Sequence, residues 1–168
     1  VDNFNLDKLE SVSNIISKTM FSFNGEGILI SGDNTQGILV RSYSKKDLSE
    51  IELLKSNIVD GSLENFNENT VSIGKDLAIS LNLVAGEEIT ILSTASISTV
   101  FGSLPTQQSF IISSIFTSGL AEFDQNVIFM RMEDSIPFFG GTNKDIFLEI
   151  FLKKPEEVLL AKNKIQNL

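Results

Sequence analysis

Histidine, cysteine and tryptophan are all absent from these 168 residues, and each absence removes a class of chemistry. Without histidine there is no imidazole base for a serine nucleophile and no imidazole metal ligand. Without cysteine there is neither a disulfide nor a thiol nucleophile, which by itself leaves the compartment open. Proline occurs 3 times and tyrosine once, so phenylalanine, at 13 residues, supplies the aromatic packing. No run reaches about 18 consecutive apolar residues, the length a membrane helix needs. The chain opens on Val1-Asp2-Asn3 with no initiator methionine and no signal peptide, which reads as a piece of a longer protein trimmed at both ends.

Positive charge is also scarce. Thirteen Lys and Arg face 22 Asp and Glu, for a formal net charge of −9. The basic residues come in ones and twos, at Lys45-Lys46, Lys153-Lys154, Lys162 and Lys164, with no stripe among them. Nucleic acid is therefore excluded as a partner, because phosphate binding needs clustered cations. Adhesion of a whole face to anionic lipid is disfavoured for the same reason.

What is present reads as one domain, with room for two subdomains around a shared core. Leu6 to Val12 has helical spacing behind an acidic start. Residues 14–31 read as extended, interrupted by a turn or bulge at Asn24-Gly25-Glu26-Gly27. Gly32 to Gly37 is a turn signal, and Gly37 to Tyr43 a strand, giving a hairpin over 25–43. Ser44 caps a short helix through Glu50, and the polar 56–70 segment reads as a surface connection. Thr70 to Ile73 is a strand ending at Gly74, Lys75 to Leu81 a helix, and Glu88 to Leu92 a strand after the Gly86 turn. Gln108 to Thr117 and Asn126 to Met132 are further strands, with a loop over Gly119 to Asp124 between them. A short helix over Met132 to Phe139 and a strand over Asp145 to Leu152 follow. Pro155 opens a last helix at its first position, with Glu156 and Glu157 in the first turn. Strands and helices alternate without regular βαβ spacing, so the class is α+β, with mixed sheets and short helices.

Catalytic constellations are weak. Gly25-Glu26-Gly27 lacks the third glycine of a dinucleotide fingerprint, and no GxxxxGK[ST] occurs. The acidic pairs Glu122/Asp124 and Glu133/Asp134 offer only oxygen ligands and match no EF-hand spacing, so they read as turn or helix caps. No catalytic residue, metal or cofactor is assigned. The informative segment is Thr99-Val100-Phe101-Gly102-Ser103-Leu104-Pro105, where apolar residues stand in a polar stretch. It reads either as a lid tucked into the core or as a protruding hairpin with an apolar tip, bent at Gly102 and stiffened at Pro105.

Two stretches carry a family resemblance. Val71-Ser72-Ile73-Gly74-Lys75-Asp76-Leu77-Ala78, Leu81 and Gly86-Glu87 with its following strand resemble the extracytoplasmic domains of MacB-type ABC transporter permeases. Thr99 to Pro105 with Gln107 resembles the hook loop of the lipoprotein-releasing permeases LolC, LolE and LolF. Phe116-Thr117-Ser118-Gly119-Leu120-Ala121-Glu122-Phe123-Asp124 is similar to a segment that follows the hook in that family. The resemblance covers roughly residues 50–152.

It implies a MacB-like periplasmic core domain with a protruding β-hairpin, set between the first and second transmembrane helices of an inner-membrane permease. It implies no enzymatic activity, ATP being bound by a separate subunit, LolD. The implied partners are that ATPase, a second permease subunit, the lipoprotein substrate and the periplasmic carrier LolA, which the hook recruits. Val100 and Phe101 fall where a well-known relative has Pro and Met, whereas Pro105 and Gln107 match it. Thr90 and Gln108 fall where that relative's basic supporting pad lies, so charge carries less of the recognition. The rival implied by residues 71–92 alone is a mechanotransmission domain of a MacB-like efflux pump or an FtsX-like permease.

Overall fold

A computed structural model describes residues 13–99 and 102–166; the expected helix over Leu6 to Val12 lies outside them. Eight strands belong to a single mixed sheet. In chain order they are β1 (Ile16–Ser31), β2 (Asn34–Tyr43), β3 (Ile58–Gly61), β4 (Thr70–Gly74), β5 (Glu88–Thr99), β6 (Gly102–Phe116), β7 (Val127–Arg131) and β8 (Ile146–Leu152). Among the described residues six short α-helices accompany them: α1 (Lys45–Glu50), α2 (Glu52–Ser56), α3 (Lys75–Leu81), α4 (Ala121–Asn126), α5 (Met132–Phe138) and α6 (Val158–Gln166). The α+β class and the mixed pairing follow the expectation.

The pairings of six strands close on themselves. β1 pairs β2, β2 pairs β7, β7 pairs β4, β4 pairs β6, β6 pairs β5, and β5 returns to β1. The β2–β7 and β4–β6 pairs are parallel and the others antiparallel. β8 and β3 attach outside this ring, on β1 and β6. Closure removes the open edges that a six-stranded sheet would otherwise expose.

Period-two alternation fills the ring. Leu29, Val40, Val71, Ile73, Ile91 and Met130 point inward and are fully buried. Each such side chain contributes roughly 1.5–3 kcal/mol of burial. β4 runs into α3 and β7 into α5, and β4 and β7 are antiparallel. The two helices therefore plug opposite ends, α3 with Leu77 and Ala78, α5 with Phe138 and the adjoining Phe139. Phe110 meets Phe138 edge-on at 5.5 Å, and Phe138 meets Phe139 at 4.7 Å. A second cluster lies outside the wall, where Leu48 of α1, Leu54 of α2 and Phe66 cover Tyr43, Phe116 and Phe129. α6 covers β8 through Ala161 and Ile165.

Four local expectations are corrected. β1 is continuous through Asn24–Gly27, with no turn. Its Gly25 is needed for closeness: a Cβ there would sit 2.7 Å from the Phe139 ring. The hairpin turn is shorter than expected, because β2 starts at Asn34 and Gly32 takes the left-handed bend (φ 56°). The 56–70 connection contains β3, which pairs the outer edge of β6. The loop expected over Gly119 to Asp124 becomes helical from Ala121.

Candidate functional site

The site begins where β5 and β6 leave the ring. β5 pairs β1 only between Thr90 and Ser93, and β6 pairs β4 only from Ile111 onward. Beyond those points the two strands have only each other as strand neighbours, among the described residues. Ile97 faces Leu104, Ser98 faces Ser103, and Thr99 faces Gly102. The register shifts between Leu92 and Ser96, a bulge at the root. From Ser93 to Thr99 the arm spans roughly 20 Å at the usual rise of a strand.

This arm carries the residues singled out in the sequence. Leu104 is 57% exposed, and Pro105 and Gln107 are also exposed. Thr99, Gly102 and Ser103 belong to the paired strands, while Val100 and Phe101 lie outside the described residues. Gly102, where the bend was expected, is paired with Thr99. Pro105 faces Ser96 in a ribbon with two free edges, the setting in which a strand tolerates proline.

Side chains clamp the root. Thr94 Oγ1 donates to the Glu26 carbonyl at 3.0 Å, and the Ala95 N–H donates to Ser93 Oγ at 3.0 Å. On the other strand Gln108 Nε2 donates to Asn69 Oδ1 at 2.6 Å. Asn69 is held left-handed (φ 56°) just before β4. α5 carries Asp134 nearby. Burial lifts the Asp134 carboxyl above the ordinary range, and Arg131, 3.7 Å away, opposes this only in part.

The two pad candidates separate. Thr90 faces Ser109 on the outer surface of the ring. Gln108, one residue along β6, points the other way, to Asn69. What Thr90's face does carry is apolar: Ile28 is 40% exposed opposite half-buried Leu92, and Ile111 is 47% exposed opposite Glu88 on the other side of Thr90. Sequence reasoning passed over these residues, although the adjacent pair Ile111-Ile112 signals a strand with both faces apolar. An open groove of about 880 Å³ adjoins on the β1–β2 wall under α4, lined by Leu39, Leu120, Phe123 and Thr94; its acids are Glu26 and Glu122.

The segment after the arm is ordered by Asp124. This buried carboxylate accepts Thr117 Oγ1 at 2.8 Å, the Ser118 N–H at 2.8 Å and Ser118 Oγ at 2.5 Å. Burial would raise its pKa, but these hydrogen bonds and one from the Gly119 N–H outweigh it and hold the carboxyl below the ordinary value. Asp124 is thus the turn cap that the sequence suggested.

The chain matches no family model. Over 108 residues it is 25% identical to the lipoprotein-releasing system transmembrane protein LolC of two Xylella fastidiosa strains. The match covers 63% of this chain and 26% of those proteins, so the chain spans about a quarter of their length. Among solved structures, the periplasmic region of MacB from Actinobacillus actinomycetemcomitans superposes with a TM-score of 0.55 at 9% identity, covering 98% of this chain and 72% of that one. The sequence thus resembles part of LolC, and the fold is that of the MacB periplasmic region. The extracellular domain of the noncanonic ABC-type transporter YknZ from Gram-positive bacteria shares the fold, with a TM-score of 0.56 at 10% identity over 94% of this chain and 78% of that one. Among the described residues no helix is long and apolar enough to cross a membrane.

Proposed function

We propose that this domain is the partner-capturing module of an inner-membrane ABC permease that releases lipoproteins. In the intact protein it stands in the periplasm between the first and second membrane helices. ATP is hydrolysed by a separate LolD-type subunit, a second permease subunit completes the transporter, and the domain itself needs no cofactor. The arm of β5 and β6 engages the periplasmic carrier LolA, which takes the lipoprotein away.

One observation carries this reading: a two-stranded arm leaves a closed ring with Leu104 and Pro105 exposed on it. Exposed apolar groups on a projecting ribbon cost solubility unless a partner covers them. Recognition by such an arm is mainly apolar, with Phe101 as its largest side chain, and Thr90, Ser109 and Gln107 add neutral polar contacts at the foot. In a pull-down with purified carrier, Phe101→Asp and Leu104→Asp each lose at least about tenfold in affinity, as expected for burying a charge in an apolar contact. Both variants keep the melting temperature of the parent chain. Retention of parental carrier binding by both would sink the reading. A domain that transmits force within an efflux pump is the rival, favoured by the likeness to MacB and YknZ. It predicts no carrier binding by the parent chain either.

A further inference from the structure

Four lysines, all within residues 153–164, lie around an exposed apolar surface on α6. α6 packs on β8 through Ala161 and Ile165, one turn apart on its buried side. Two residues before Ala161, Leu159 lies on the opposite side at 71% exposure, and Leu160 next to it is 48% exposed. Val158 at the start of the helix is 57% exposed. Going round the helix at 3.6 residues per turn, Lys162 and Lys164 bracket this leucine face, with Asn163 between the leucines. Lys153 and Lys154 lie exposed just before the helix. Residues 153–166 thus hold four lysines against two glutamates, Glu156 and Glu157, a local charge of +2 in a chain of −9.

We propose that the solvent face of α6 is a contact surface for an anionic lipid bilayer. Leucines flanked by lysines match an interface in which the apolar side chains enter the acyl boundary and the ammonium groups reach the headgroups. The acidic remainder of the chain is repelled by the same lipid, so the charge asymmetry also orients the domain with α6 down. Twofold pairing of two copies through this face would bring Lys162 and Lys164 of both copies together, which disfavours self-association as the use of the leucines. The inference is independent of the carrier reading, because α6 and the arm share no residue.

Vesicle flotation tests it with the 168-residue chain. The chain floats with excess vesicles of phosphatidylethanolamine and phosphatidylglycerol, floats less in high salt, and stays down with pure phosphatidylcholine. Leu159→Glu with Leu160→Glu abolishes flotation. Lys162→Gln with Lys164→Gln lowers the bound-to-free ratio about 25-fold, roughly fivefold per lysine. All four side chains are exposed, so both double variants keep the parental melting temperature. Failure of the parent chain to float with phosphatidylglycerol vesicles overturns the proposal. So does equal flotation of either double variant, or light scattering showing that the leucine variant instead dissolves a dimer.

Discussion

Replacing Asp124 by Asn tests whether the segment joining the arm to α4 is held by a buried charge. Three donors converge on this carboxylate, from Thr117 Oγ1, Ser118 N and Ser118 Oγ. Hydrogen bonds to a charged acceptor contribute about 1.5–3 kcal/mol each, but they share one desolvation cost and do not add. The amide keeps one acceptor oxygen and loses the charge. The expected cost is therefore about 2–4 kcal/mol at neutral pH, which lowers the melting temperature by roughly 6–12 °C in a chain of this size. The pH dependence follows from the depressed pKa. The folded state binds the Asp124 proton less readily than the unfolded chain, so the contribution is complete above the ordinary carboxylate pKa. It fades as the pH falls towards the lower folded value. Urea melts followed by circular dichroism, run at neutral pH and in acid, should show the parent and Asp124→Asn converging on acidification. Ser118→Ala should cost about 1–2 kcal/mol in the parent and close to nothing in the Asp124→Asn background. Equal denaturation midpoints at neutral pH, or a gap that persists unchanged in acid, would refute the reasoning.

Two further substitutions probe the ring. Glu149 of β8 reaches past β1, accepting Arg41 Nη2 at 2.7 Å and the Tyr43 hydroxyl at 3.1 Å; Glu149→Ala strands that buried phenol and should lower stability by about 1–3 kcal/mol in a denaturant melt. Gly25→Ala drives a methyl into the Phe139 ring; about 1–3 kcal/mol of destabilisation is expected in the same melt, largely rescued by Phe139→Leu, which clears the space.

Legibility followed the range of the interactions. The β1–β2 hairpin, the β4–α3–β5 unit and the proline-led α6 were readable because turn residues and apolar periodicity act within a few positions. The glycines at 25 and 27 misled for the opposite reason. Their local signal is a turn, but they lie in the middle of β1, and Gly25 is small to admit Phe139, a residue far along the chain. A one-residue step along a strand reverses the face, and only the observed register assigns Thr90 and Gln108 to their faces. α4 was hidden because its start, Ala121-Glu122, has no side-chain cap to announce it.

By itself, then, the sequence determined the chemistry available and the local elements. The lack of histidine and cysteine removes imidazole and thiol chemistry, the charge of −9 argues against phosphate binding, and the apolar residues at 99–105 stand out as either a lid or a hairpin. Tertiary structure alone decided the rest. The parallel β2–β7 and β4–β6 pairs close the ring across long stretches of chain, and no short-range pattern encodes them. Where the ring closes, β5 and β6 run on beyond their last neighbours and become an arm. Where α6 settles on β8, the packing of Ala161 and Ile165 decides that the face bearing Leu159, Leu160, Lys162 and Lys164 is the one left to solvent.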